Sequence, residues 1–411
     1  MNKDDAAAVA AQEGRPRQTE RPKWKALFAG SLAHFIHDGF IDMLYVFFPL
    51  WQAKWALSFA EVGMLKTLVS GFLAAFQLPA GIVASRIGPV RLLFAGTIIS
   101  SLAAMLWGFA AGPAMLALLL GLSGLGASVQ HPVSSAMISD AYADVKIRRT
   151  ALSAYNFCGD VGKLVLPGTA AFLIANVGWE AASRLLALFG FLVAAVLFFS
   201  MLGGDAAGSA SPAPEAARPA AGGLLLGWSG YQAFWSLTLI GVLDNATRTG
   251  FLTFLPFLLR DKGAGVAAIG LALTLIYAGG AAGKLVCGIL ATRIGVLRSV
   301  IATEIVTALC IGGMIGLSLE QSFFLAPLLG VALNGTSSVL YGSVPELVLG
   351  DRRKQAFAIF YTLSLGAGAI SPSLYGLLSD FAGVKGTVSA IAAIVLAVVP
   401  LTLPLRGKLG N

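Results

Sequence analysis

Long apolar segments, separated by short polar ones, follow one another along most of the chain. About 20 apolar residues allow an α-helix to cross the hydrocarbon core of a bilayer. We predict twelve transmembrane helices, at 26–52, 59–84, 91–110, 114–138, 150–175, 182–202, 228–258, 265–291, 298–318, 322–348, 355–379 and 384–404. Ser58 and Glu61 have the spacing of a capping box at the start of the second helix.

Polar stretches divide this pattern into two groups of six. Residues 1–22 are polar and are predicted to form a disordered cytoplasmic tail. The stretch "GGDAAGSASPAPEAARPAAGG", within 203–226, has the Ala, Pro, Gly and Ser content of a flexible linker. The prediction is therefore a six-helix bundle at 23–202, a second bundle at 227–405 and a short tail at 406–411.

The two groups of helices repeat each other in sequence. "GIVASRIGPVR" at 81–91 returns as "GILATRIGVLR" at 288–298. At nearly the same spacing, further pairs recur, namely Asp38 with Asp244, Pro49 with Pro256 and Tyr155 with Tyr361. Parallel six-helix repeats joined by a central linker are typical of one architecture of membrane transporters.

Composition agrees with a membrane protein. Hydrophobic residues make up 57% of the 411 residues and charged residues 12%, about half the charged share of a soluble domain, and the mean hydropathy is +0.82. The net charge of +8 is scattered over helix ends and therefore does not predict nucleic-acid binding. Cys158, Cys287 and Cys310 lie in apolar segments, which favours neither disulfides nor a thiolate metal site.

Most Lys and Arg residues fall on one side of the predicted membrane. That side receives the N-terminal segment, the loops holding Arg86, Arg91, Arg293 and Arg298, the linker and the C-terminus. Positively charged loops stay on the cytoplasmic side. Both termini are therefore predicted to be cytoplasmic.

The first helix contains an unusual polar stretch, "HFIHDGFID" at 34–42. His34, Asp38 and Asp42 are spaced four residues apart, so they form one stripe along the helix, with His37 at its edge. Ionisable groups inside a membrane face the protein interior or a water-filled cavity. A buried carboxyl group can retain a proton, which predicts proton coupling. The alternative is a purely structural hydrogen bond between Asp38 and His34.

Helices four and five carry further polar groups. In helix four, His131 follows Gln130 and precedes Pro132, which breaks the backbone hydrogen bonds. In helix five, Asp160 and Lys163 share a face with Asn156. Asp160 and Lys163 either pair with each other or leave Lys163 free to attract an anionic substrate.

The second half offers a similar choice. Asp244 and Arg248 have the spacing of a pair within one helix, and Arg248 has the planar fork that suits a carboxylate, phosphate or phosphonate. Lys66 is expected to reach the interface or to pair with Glu61, and Glu304 is expected near the interface. The candidate proton-coupling residues are His34, Asp38, Asp42, Asp160 and Asp244, and the candidate substrate contacts are His37, Gln130, His131, Asn156, Lys163, Asn245, Arg248, Lys284 and Tyr361.

The repeated loop pattern G-x-x-x-[DST]-R-x-G-x-x-R resembles the best-known motif of the major facilitator superfamily, with Ser85 and Thr292 where an acidic residue is usual. The resemblance implies an all-α membrane protein with twelve transmembrane helices in two pseudo-symmetric six-helix bundles. It also implies that Arg86, Arg91, Arg293 and Arg298 belong to cytoplasmic gate loops; positive-inside bias is the competing explanation.

Three stretches resemble the fosmidomycin-resistance family of bacterial efflux proteins more closely. They are "AHFIHDGFIDMLYVFFPLWQAKWALSFAEVGML", "GLGASVQHPVSSAMI" and "PELVLGDRRKQAFAIFYTLSLGAGAISPSLYGLLSD", although Val133 replaces the Glu that usually follows His-Pro. This resemblance implies a monomeric, proton-driven exporter in the bacterial inner membrane. Its implied substrate is a small polar or anionic compound such as a phosphonate antibiotic, with a siderophore or other polar metabolite as the alternative.

Two other classes of function were compared with transport. An intramembrane enzyme would need a motif such as H-E-x-x-H or G-x-S-x-G, and a P-loop would be needed for ATP; the sequence contains none of them. A metal held by His34, Asp38 and His131 would favour the enzyme, but we predict no metal and no cofactor. A sensor without transport activity is the third class. The predicted partners are a small-molecule substrate, protons and membrane lipid.

Overall fold

The computed structural model describes residues 23–201, 228–348 and 353–409, and secondary structure in these residues is helical. We number the membrane spans 1 to 12. The helices are Lys23–Asp42 and Leu44–Trp55 (span 1), Phe59–Ile87 (span 2), Pro89–Trp107 (span 3), Pro113–Ala127 and Gln130–Ala141 (span 4), Val145–Met201 (spans 5 and 6), Trp228–Asp261 (span 7), Val266–Ile294 (span 8), Val296–Gly316 (span 9), Leu319–Leu347 (span 10) and Arg353–Val395 (spans 11 and 12), followed by Val398–Leu401 and the 3-10 turn Leu403–Leu405. The predicted tail at 1–22 and linker at 203–226 lie outside the described residues.

Among the described residues, eight helical segments are long and apolar enough to cross a membrane. Two of them contain a glycine with positive φ, Gly178 (79°) and Gly383 (72°), where the backbone leaves the helix. Each is long enough for two crossings. Spans 1 and 7 carry the polar residues singled out above, which lowers their hydropathy. The described segments thus form twelve spans.

The sequence repeat marks equivalent turns in the two halves. Gly88 (φ 93°) and Gly295 (φ 88°) both follow the residues "RI" and connect two spans. Glycine adopts positive φ without the steric cost that other residues meet. The two copies of the repeat therefore share a glycine with positive φ as well as their basic residues. The capping box of Ser58 and Glu61 is confirmed, with both hydrogen bonds present.

Two spans predicted as continuous helices are interrupted. Span 1, predicted at 26–52, breaks at Met43, next to the polar stripe. Span 4, predicted at 114–138, breaks at Ser128 and Val129. Pro132 has no N–H to donate to Ser128, and its ring crowds that carbonyl. The proline therefore explains the break in span 4.

The two halves pack closely along spans 2 and 11 and along spans 5 and 8. At the first contact, Gly63 lies against the carbonyl of Pro372, and Gly376 lies against the carbonyl of Phe59. At the second contact, Gly270 faces Ala171. Because glycine has no side chain, the helices can approach each other this closely.

We call the membrane side that holds Arg86 and Arg293 the basic side, and the other the opposite side. Hydrogen bonds join the halves toward the opposite side. They run from Arg260 to the Pro49 carbonyl and Gln52, from the Phe59 and Ala60 backbone N–H groups to Asp380, and from Ser373 to Thr67. These contacts close the opposite side, so we infer that the space between the halves opens toward the basic side.

Candidate functional site

Asp38 is the centre of a polar cluster at mid-depth of the N-terminal half. Its Oδ2 atom lies 3.1 Å from Nε2 of His34 and 3.0 Å from Nζ of Lys163, and its Oδ1 atom lies 3.4 Å from Nε2 of His131. Asp38 is 8% exposed, whereas about a third of the Lys163 and His131 side chains remains exposed. The cluster therefore joins a buried acid to two partly exposed bases.

The contact between His34 and Asp38 holds a proton. Nδ1 of His34 lies 3.0 Å from the carbonyl oxygen of Tyr155, which can only accept a hydrogen bond, so Nδ1 donates. The other ring nitrogen then faces Asp38 at 3.1 Å. Without a proton between them, a lone pair would face a carboxylate. The geometry therefore calls for a proton between Nε2 of His34 and Oδ2 of Asp38.

Lys163 connects this cluster to the other charges at the centre of the molecule. Besides its contact with Asp38, it interacts electrostatically with Asp42, Asp160 and Arg248. Arg248 belongs to span 7, so the interaction extends between the halves. Asp38, Asp42, Asp160, Lys163 and Arg248 therefore lie near one another at the centre of the molecule, and we call these residues the central network.

Asp160 does not take Lys163 as its close partner, although the sequence left that pairing open. It instead binds Lys284 of span 8, whose Nζ donates to both carboxylate oxygens at 2.8 and 2.6 Å. This ion pair joins span 5 to span 8 and connects the two halves at mid-depth. Lys284 is 43% exposed at its side chain, so the pair lies at the edge of the space between the halves.

Two other predicted substrate contacts lie behind the cluster. Gln130 is fully buried and donates to the Tyr155 hydroxyl at 2.7 Å, and the Tyr155 ring packs on His34. His37 is 1% exposed and faces Thr97 and Ser100 of span 3. In this conformation, Gln130 supports the Tyr155 ring that packs on His34, whereas His37 faces span 3.

Other predicted residues lie around the space between the halves. Asn156 and Tyr361 are exposed and Asp42 is half-buried. Tyr361 lies near Asp38, Lys163 and Arg248. It is therefore placed to contact a solute that lies between the two bundles.

His34, Asp38 and His131 each place one potential ligand atom within 4.8 Å of the others, close enough to share a metal ion. Lys163 lies against the same carboxylate. A metal cation there would meet the ammonium charge at short range. The donor set therefore suits protons and anions better than a metal.

In the C-terminal half, Arg248 is the main cation. Its Nη2 atom donates to Oδ1 of Asn245 at 3.0 Å, and it is half-buried. Asp244, one turn earlier, interacts with Arg248 electrostatically but takes its close contact with Glu304 of span 9. The expected pair within span 7 is thus replaced by a contact between spans.

Two expectations about flanking charges are wrong. Glu304 was expected near the interface, but it is 1% exposed in the interior of the C-terminal half. Lys66 was expected to reach the interface or pair with Glu61, but it is 2% exposed and lies 4.5 Å from the ring centre of Tyr45. Both predictions were based on the position of the residue along its helix. That position gives the depth in the membrane, but it does not show whether the side chain faces neighbouring helices or the outside of the bundle.

The four predicted gate arginines are all exposed, at the basic-side ends of their helices. Arg293 and Arg298 line a cavity of about 540 Å³ together with Arg406. Their side chains are well placed for contact with solvent or lipid. Their role as a gate stays a prediction.

Comparison with known proteins points to one family. The sequence model described as "Major Facilitator Superfamily" matches residues 30–243 and 237–408, once for each half. A probable sulfoacetate transporter of Cupriavidus necator is 24% identical over 403 residues, covering 89% of each chain. A gallate transporter of Pseudomonas putida is 26% identical over 377 residues, covering 83% of this chain and 82% of that protein.

Solved structures share the same fold. A bacterial homologue of the human lysosomal transporter Spinster, crystallised in an inward-facing and occupied conformation, has a TM-score of 0.74 and 18% identity. The match covers 92% of this chain and 96% of that one. Both halves of the molecule therefore belong to one known architecture.

Proposed function

The chain belongs to the Major Facilitator Superfamily, and from this premise we propose that it couples the transport of a small organic anion to protons. As a member of this family it is a secondary transporter with a small-molecule substrate, and it is not an enzyme. Alternating exposure of the central network to the two sides of the membrane would carry the solute. Family membership supports transport of a small molecule, and we propose in addition that the solute is an anion and that its transport is coupled to protons.

The observation that carries the proposal is the position of Asp38 between Lys163 and His34. While Asp38 is ionised, it neutralises the ammonium group of Lys163. When Asp38 takes a proton, Lys163 loses its counter-charge and attracts an anion. Lys163 lies near both His131 and Arg248, so an anion bound there would meet more than one basic group.

The substrate class follows from these basic groups. A planar fork and an ammonium group suit carboxylates, sulfonates and phosphonates. The names of the two relatives, which refer to sulfoacetate and gallate, agree with an organic acid. A phosphonate antibiotic is the substrate implied by the resemblance to the fosmidomycin-resistance family, and a siderophore stays the alternative.

The arrangement of charges also favours movement of the proton and the anion in the same direction. Because a proton on Asp38 strengthens anion binding at Lys163, proton and anion should occupy the site together and move in the same direction. Export by proton antiport, implied by the family resemblance, requires the opposite linkage. We therefore propose cotransport, and we retain antiport as the second candidate.

Transport by purified protein in liposomes tests both candidates. The probes are labelled sulfoacetate, gallate, fosmidomycin and a ferric siderophore, with a pH gradient of either polarity. Cotransport predicts accumulation when the interior is more alkaline, whereas antiport predicts accumulation when it is more acidic. Failure with all four probes would refute the substrate class.

The coupling role of Asp38 is tested by Asp38→Asn, with Asp140→Asn as the control because Asp140 is exposed at the end of span 4. We expect Asp38→Asn to abolish accumulation against a gradient while anion exchange continues, since Asn cannot release a proton. The control should transport like the wild type. Gradient-driven accumulation by Asp38→Asn would remove Asp38 from the coupling mechanism.

We further propose that the basic side faces the cytoplasm of a bacterial cell, with the protein in the inner membrane as a monomer. The distribution of Lys and Arg supports this orientation. Accessibility of single cysteines introduced at Arg86 or Arg293 to impermeant reagents, added to intact cells and to inverted vesicles, tests it. Labelling in intact cells would contradict the orientation.

A further inference from the structure

A second buried acid pair lies in the C-terminal half, away from Asp38. Glu304 of span 9 and Asp244 of span 7 are 1% and 4% exposed, and their carboxyl groups lie within hydrogen-bonding reach of each other. Thr336 of span 10 contacts the Glu304 carboxyl group as well. Oε1 of Glu304 is fully buried, and no hydrogen-bond partner is present for it among the described residues.

Two carboxyl groups can form a hydrogen bond only if one of them carries a proton, because an ionised carboxylate only accepts. Burial makes two adjacent negative charges costly. Both acids are buried, but Asp244 lies beside the positive charge of Arg248, which favours its ionised form. The proton therefore belongs on Glu304.

The charged and titratable groups around this pair come from three spans. Arg248 of span 7 interacts with Asp244, Cys287 of span 8 interacts with both acids, and Tyr341 of span 10 interacts with Asp244 and Arg248. Within the described residues, Arg248 is the one cation that interacts electrostatically with the pair. The charge of the pair is therefore balanced mainly by Arg248.

We propose that Glu304 and Asp244 form a second proton-binding site, and that its proton decides whether Arg248 is available to the anionic substrate. With the proton on Glu304, the pair has one negative charge and Arg248 can also turn toward an anion. After the proton leaves, the doubly charged pair holds Arg248. The proton-binding part rests on the burial and close approach of the two carboxyl groups and on the unpartnered Oε1 of Glu304, whereas the link to the substrate rests on the proposed function.

Infrared difference spectroscopy between low and high pH tests the proton-binding part with the proton as the only ligand. The wild type should show a carboxylic-acid C=O band that turns into a carboxylate band as the pH rises. Part of this band should disappear in Glu304→Gln, and in Asp244→Asn it should convert to the carboxylate band at a lower pH, because the neighbouring negative charge is gone. It should persist in Asp38→Asn and in Thr307→Val, a control one turn further along span 9.

Glu304→Gln keeps the shape of the side chain and a donor for Asp244, and Asp244→Asn provides a second variant should the first not fold. A band unchanged in the pair variants, or no such band in the wild type, would overturn the proton-binding site.

The link to Arg248 is tested by sulfoacetate affinity as a function of pH. In the wild type, affinity should fall as the pH rises, and the fall should be smaller in Glu304→Gln than in Thr307→Val. Equal pH dependence in these two variants would overturn the link. If the wild type neither binds nor transports an anion, the proposed function and this link fail, while the infrared result still decides whether the pair binds a proton.

Discussion

At the scale of single residues, the partners of each charge decide its role. The residue types that point to function, such as Asp38, Lys163 and Arg248, could be found from the sequence because ionisable groups are rare in spans. The pairing of these charged residues could not be predicted from the sequence. Asp160 had Lys163 within its own helix, yet it pairs with Lys284 from the other half. Local spacing reveals only neighbours on one helix, whereas the final partners depend on packing.

The first prediction concerns the binding of the anion by Arg248. We expect Arg248→Gln to weaken anion binding at least about tenfold, because it removes charge-assisted hydrogen bonds worth about 1.5–3 kcal/mol. Arg248→Lys should recover part of the loss, since it restores the charge without the planar fork. Equilibrium binding of the transported anion measures both effects.

Arg86→Gln is the control, because Arg86 is exposed at the basic-side end of span 2. It should bind the anion like the wild type. An unaltered affinity in Arg248→Gln would show that Arg248 has only a structural role.

At the scale of elements, most helices could be predicted because apolar length determines them. The division of spans 5 and 6 was expected between 175 and 182, and it occurs at Gly178. The break at Met43 could not be foreseen, because nothing in the local sequence requires it. Contacts between the two halves could not be predicted from the sequence either. One example is the contact of the Asp380 carboxylate with the first N–H groups of span 2.

Asp380 gives the element-scale prediction. Its two oxygens accept hydrogen bonds from the Phe59 and Ala60 N–H groups at 2.7 and 2.9 Å, at the positive end of the span 2 helix. Asp380→Asn should weaken the closure of the opposite side by about 1 kcal/mol, a population shift of roughly fivefold. Distances between spin labels at Ala53 and Lys385, one in each half, should move toward longer values.

Glu320→Gln is the matched control for this experiment. Glu320 lies at the positive end of span 10, in the first turn of that helix, and so within the C-terminal half alone. The control should leave the label distances unchanged. Distances that stay the same in Asp380→Asn would show that this contact does not hold the opposite side closed.

At the scale of the whole molecule, the internal repeat predicts the two bundles, and the contacts define the conformation. The halves meet at the opposite side and at the Asp160–Lys284 pair, so the central network is approached from the basic side. Each half brings a cation beside a buried acid: Lys163 with Asp38, and Arg248 with Asp244 and Glu304. The sequence predicted acids and bases in both halves, but the burial of Glu304 depends on the packing of spans and could not be predicted from its position in the chain.

The central claim is that proton and anion bind together in this network. Calorimetric titration of the wild type with its transported anion, repeated in buffers of different ionisation enthalpy, gives the number of protons exchanged per anion bound. The account predicts net proton uptake on binding, reduced in Asp38→Asn, because the anion replaces the acid as the counter-charge of Lys163. Proton release, or binding without any proton exchange, would contradict it.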